Sequence, residues 1–134
     1  MAGANFTGLD KAFIPDEAID QFAVVFLKTN GHVELADADT ESIIGVAQYA
    51  VDADDVATGK AVVTVRMQGT SYVRIGLTEA VAIGALLCPD GANPGRVKVA
   101  TTGDTVIGKS VGNVGATAGD RIVMQLIEGQ QAVQ

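Results

Sequence analysis

The sequence predicts an all-β fold: a small β-barrel assembled from a weak internal duplication. Three observations point there. Val, Ile and Thr number 18, 9 and 11, against four Phe, two Tyr and no Trp, with 16 Gly among them; this balance favours strands joined by tight turns over helices. Short segments alternate apolar and polar residues with period two, the pattern of half-buried strands. The same segments also recur in the same order in both halves of the 134-residue chain, as expected of a duplicated unit.

The first half carries "GHVELA", "IIGVA" and "ATGKAVVTVRM"; the second carries "GRVKVA", "VIGKS" and "TAGDRIVMQLI". Gly31, Val33, Leu35 and Ala36 match Gly95, Val97, Val99 and Ala100. Ile44 and Gly45 match Ile107 and Gly108, and Gly59 and Lys60 match Gly119 and Asp120. Upstream, "AVVFLKTNG" from Ala23 resembles "AIGALLCPDG" from Ala82. Each unit reads as strand, turn, strand, loop, short strand, loop, long strand.

Each piece has a physical reason to be extended. In "HVELA", Val33 and Leu35 face one way and His32 and Glu34 the other. Val97 and Val99 alternate with Arg96 and Lys98 in the same manner. In "KAVVTVRM", Ala61, Val63, Val65 and Met67 share a face opposite Lys60, Val62, Thr64 and Arg66. Asn30–Gly31 and Asp90–Gly91 are turn signals between strands. Gly59 and Gly119 precede the long strands, where a residue free to take positive φ is useful.

Helix signals are few. "PDEAIDQF", Pro15 to Phe22, predicts a short helix with Pro15 and acids at its start. "LTEAVAIGALL", Leu77 to Leu87, predicts one or two turns, weakened by Gly84. The expected organisation is an extended N-terminal arm over 1–15 and a single β domain over 16–128. Its units fall at about 18–67 and 80–127, and a polar tail that frays covers 129–134. About eight to ten strands are expected, closed or folded over to hide their edges.

Charge and rare residues narrow the function. A net charge of −7 argues against a nucleic-acid partner, because phosphate binding needs a basic face. Asp52, Asp54 and Asp55 read as a solvated loop. Cys88 and His32 are each the sole residue of their type, so neither an intrachain disulfide nor an ordinary metal site is expected. No secretion signal or membrane-spanning run is evident, and synthesis in a cytoplasm as a soluble protein is the expectation.

One stretch, "GDTVIGKS" at Gly103 to Ser110, fits the phosphate-loop pattern. A phosphate loop must open a helix whose first N–H groups hold the phosphates. The following "VGNVGATAGD" is too rich in glycine and β-branched residues for that. Gly108 also has a counterpart in Gly45, which is followed by Val46 and Ala47 rather than Lys and Ser. The glycine therefore belongs to the architecture. With one His and no nucleophile elbow, no catalytic triad is supported. A non-enzymatic protein with no cofactor is expected.

The repeated unit, at Gly31 to Ala36, Ile44 to Ala47 and Thr58 to Val63, then at Gly95 to Ala100, Val106 to Ser110 and Ala118 to Val123, resembles the capsid decoration, or cement, proteins of tailed bacteriophages. The likeness covers roughly Ala18 to Glu128 and rests on turn and strand signatures. It implies a compact β-barrel or β-tulip core and a homotrimer on the exterior of an expanded head. It further implies clamping of neighbouring major-capsid subunits, with no role for nucleic acid or membrane. A different class, a virion-surface module for host or carbohydrate adhesion, is the alternative, although the few aromatics disfavour sugar stacking.

The arm carries Phe6, Leu9, Phe13 and Ile14 among small and polar residues. Two readings remain open. These residues are apolar anchors on a neighbouring subunit or the capsid, or they fold back to cap their own barrel.

Overall fold

The computed structural model describes residues 8–38, 42–76, 80–112 and 120–132. Nine strands and one short helix follow in the order β1 (Gly8–Phe13), β2 (Val24–Leu27), β3 (Val33–Leu35), β4 (Ile43–Ala47), α1 (Ala53–Ala57), β5 (Val63–Arg74), β6 (Leu86–Pro89), β7 (Val97–Val99), β8 (Thr105–Gly112) and β9 (Arg121–Ala132). All ladder pairings are antiparallel. The strands form an open, strongly curled half-barrel, so the all-β expectation holds.

The duplication is visible in the pairing. The first unit has the strand order β3-β2-β4-β5-β1, and the second has β7-β6-β8-β9-β5. β5 is shared. Its residues Val63 to Gly69 close the first unit against β1, and Thr70 to Arg74 open the second against β9. Registers match as well: Val25 faces Gly45 and Leu35, while Leu87 faces Gly108 and Val99. Hydrogen bonds repeat with them. Asp16 N–H donates to the Val33 carbonyl at 3.1 Å, and Gly76 N–H donates to Val97 at 3.0 Å. Lys28 to His32 at 2.8 Å is matched by Asp90 to Arg96 at 2.9 Å.

Period two places the core. Val25, Val33, Ala47, Val63 and Val65 are buried on the front of the first unit, with Ala61 and Met67 packed alongside. Ile19, Val51 and Val56 cover that face. The back of the same unit offers Val24, Ala36 and Val46, which pack with Leu87, Val97, Ile122 and Met124 from the front of the second. The units therefore stack back to front. Each fully buried Val or Leu contributes about 1.5–3 kcal/mol, before the entropy of ordering is subtracted. The joint is completed at Gly95, whose carbonyl accepts from Val24 N–H and whose own N–H donates to Ala36, both at 2.8 Å. Gly95 has left-handed backbone, φ 83°, and a Cβ there would also sit 2.8 Å from Leu35 Cδ2, so the wedge favours a glycine.

Several expectations are corrected. Pro15 to Phe22 is not helical: Pro15 bridges Val33 and Ile19 bridges Val51, because the main chain there supplies hydrogen bonds to the sheet. In the stretch from Leu77 to Leu87, the described residues from 80 on turn at Ile83–Gly84 without a helix, and Gly84 has φ 88°. The helix that forms is α1, in the stretch read as a loop. Asp52 caps it by accepting from Asp55 N–H at 2.8 Å, and Asp54 and Asp55 sit in its first turn, where the helix dipole favours acids. Residues up to Ala132 belong to β9, with Ala132 opposite Thr105; backbone pairing holds this polar end, which has no apolar pattern. Gly119 lies outside the described residues.

Candidate functional site

Of the sequence-predicted contact residues, Leu9 and Phe13 lie in β1 and Ile14 follows it directly. The segment is a strand from Gly8 onward, laid along β5 with Lys11 opposite Val65 and Phe13 opposite Val63. Close approach at its start requires glycine, since a Cβ on Gly8 would collide with the Gln68 carbonyl oxygen. Asp10 anchors the strand by accepting from Arg66 Nε at 2.8 Å and from Nη2 at 3.0 Å. The same guanidinium donates from Nη1 to the Thr70 carbonyl at 3.1 Å. This two-pronged bond holds the Asp10 carboxyl below its ordinary range, chiefly through the hydrogen bonds from Arg66.

The four anchors divide. Phe6 lies outside the described residues. Phe13 is half-buried against the first unit's front core, and Lys11 Nζ rests 5.4 Å from its ring centroid. Leu9 and Ile14 stay exposed, at 52% and 42%. Phe13 and Ile14 meet Leu27, Gly31 and Val62 around an open groove of about 400 Å³. Val62, itself 59% exposed, also borders a second shallow depression beside Asp55, Thr58 and Lys60. Leu27, Gly31 and Val62 were not foreseen, because only the fold brings their distant segments to β1.

A charged cluster is centred on Asp16. Asp16 accepts from Lys28 Nζ at 2.7 Å and lies 2.6 Å from His32 Nδ1, and Lys28 reaches Glu34 at 3.4 Å. The Lys28 and His32 hydrogen bonds lower the Asp16 carboxyl to about 2. In the second unit the matching place is filled from the other side. Asp90, 3% exposed, puts its carboxylate where a side chain on Gly76 would have to go, and it accepts from Ala92 N–H and Asn93 Nδ2 at 3.0 Å.

The phosphate-loop match lies in β8 from Thr105 onward, with Gly103 and Asp104 in the turn before it. Ser110 N–H donates to the Ala85 carbonyl at 2.9 Å, and Ser110 itself is fully buried. Gly108 is required by packing, since a Cβ there would meet Met124 Sδ. These backbone groups serve a sheet rather than a phosphate cradle. Among the described residues, no three His, Cys, Asp or Glu side chains gather as metal ligands; Cys88 is buried. The same residues include no helix long and apolar enough to cross a membrane.

No known family model matches the chain, and no curated protein matches it.

Proposed function

We propose that the chain is a non-enzymatic capsid decoration protein that binds the exterior of an expanded phage head and stabilises contacts between major-capsid subunits, acting as a homotrimer. The observation that carries this reading is the exposed β1 edge. Leu9 in β1 and Ile14 just after it present apolar side chains to solvent, and Ile14 lines the open groove. Exposed apolar residues grouped on a sheet edge mark a protein-contact surface. Many copies anchored on one shell let a modest contact suffice, because avidity multiplies it.

The test is co-sedimentation with expanded heads that lack decoration, followed by a heat challenge of the loaded heads. Wild-type protein is expected to bind and raise head stability. Leu9→Asp and Ile14→Asp, which alter exposed positions, are expected to weaken binding by about tenfold or more. Absence of binding, or bound protein that leaves head stability unchanged, overturns the reading. Saturable ATP–magnesium binding lost in Lys109→Ala would overturn its non-enzymatic part.

A further inference from the structure

The two units are built alike but finished differently. The first unit's front is covered by Ile19, Val51 and Val56, with acidic α1 outermost. Its back is covered by the second unit. The back of the second unit has no such cover among the described residues. Val24 and Val46, both fully buried, correspond there to Leu86 at 39% exposure and to exposed Lys109, which face each other across β6 and β8. The Gln21–Gln48 pair, joined at 3.2 Å, corresponds to Ile83 at 64% and Val111 at 41%. Apolar residues thus take the solvent positions of the second back face.

The backbone at this face is equally open. In the first unit, Val24 N–H and the Ala36 carbonyl are bridged by Gly95. Their counterparts are Leu86 N–H and the Ala100 carbonyl. Ala100 N–H donates to Leu86 at 2.8 Å, as Ala36 does to Val24 at 2.9 Å. No wedge occupies the remaining pair among the described residues. Among the described residues, the joint between the units is therefore repeated as an unfilled socket at the end of the stack. Stacked-repeat proteins need a polar cap at each end, and among the described residues only the front has one.

Charge identifies the occupant. The socket carries exposed Lys109 opposite Leu86, and two such faces would set like charges against each other. The first unit is acidic: residues 8–74 hold 11 of the 16 Asp and Glu in the chain against five of the nine Lys and Arg, and exposed Asp54 and Asp55 on α1 lie at its front. Apolar Ile14 and Val62 lie at that same end.

We infer that the back face of the second unit, centred on Leu86, Val111 and Lys109, binds the acidic front end of a second copy of this chain, head to tail. The contact is heterologous, so it closes into a ring or grows as a filament according to the rotation between copies. It rests on the self-association included in the proposed function, and names its surface.

Sedimentation of the purified chain without capsids tests this. Wild-type protein is expected to associate in a concentration-dependent way, and more weakly as salt rises. Leu86→Asp is expected to weaken association by about tenfold or more, as is the front variant Asp54→Lys/Asp55→Lys. Both change exposed residues, and circular dichroism verifies their folding. Mixing the two variants is expected to restore a one-to-one dimer, because each retains the face the other has lost. A monomeric wild type, variants that assemble normally, or a mixture that stays monomeric overturns the inference. Intact assembly without head binding would refute the capsid reading alone.

Discussion

Phe22 and Gly84 occupy the same place in the two units. Both have left-handed backbone, φ 65° and 88°, and both donate N–H at 2.7 Å to the partner strand, Phe22 to Ala47 and Gly84 to Ser110. Phe22 is the one non-glycine residue with positive φ among those described. Its ring meets Tyr72 at 5.3 Å, and the Arg121 guanidinium lies 5.6 Å from the Phe22 ring and 5.3 Å from the Tyr72 ring. Strain at one atom set is offset by packing at another.

A ranking follows from that balance. Phe22→Ala keeps the left-handed strain and loses the ring, whereas Phe22→Gly loses the ring and relieves the strain. Phe22→Ala should therefore be the less stable variant, by about 1 kcal/mol. Urea unfolding of both variants checks the order.

Gly45 and Gly108 predict a graded response to alanine. At Gly45 a Cβ would collide with the Arg66 main-chain carbonyl, while at Gly108 it first meets the Met124 thioether and comes only 2.9 Å from the Gln125 carbonyl oxygen. Backbone cannot yield as a side chain can. Gly45→Ala should cost roughly 3 kcal/mol or more, and Gly108→Ala about 1–3 kcal/mol. Denaturant midpoints would read the difference.

Ser110 is fully buried, and its Oγ has no hydrogen-bond partner among the described residues. Its counterpart in the first unit is Ala47, which makes the same backbone bonds. Ser110→Ala removes an unsatisfied hydroxyl and should stabilise the fold by about 1 kcal/mol. A lower melting temperature in this variant would contradict the packing described for β8.

Asp16 gives a pH signature. Its carboxyl is lowered from 3.8 to about 2 by Lys28 and His32, so the folded state favours the ionised form. That contribution is fully present above the unfolded value and is lost as pH falls from about 4 through about 2. Wild type should exceed Asp16→Asn in stability near neutrality, with the gap narrowing across that acidic window. Thermal unfolding from pH 7 to pH 2 would follow it, and a gap independent of pH would argue against the pairing.

How much was legible depended on how locally each element is determined. The face shared by Val63, Val65 and Met67 could be read because alternation alone assigns it. The duplication could be read because glycines recur where φ demands them, at Gly31 with 86° and Gly95 with 83°. β1 could not be read as a strand of the domain. Its residues are mostly exposed, and it is held by Arg66, 56 positions away. The helix expected over Pro15 to Phe22 failed because Asp16 N–H goes to Val33, a tertiary demand that outweighs local propensity. The groove residues Leu27 and Val62 carry no signal in the sequence beyond their hydrophobicity.

β5 has a consequence for how the molecule comes apart. This 12-residue strand ends one unit and begins the next, so cutting it within Gly69–Thr70 would take a ladder partner from both halves at once. Neither fragment keeps a complete sheet, and the two units should melt in a single cooperative transition. The chain has the internal order of a repeat but the indivisibility of a single domain: its two units share a strand, so it cannot be halved.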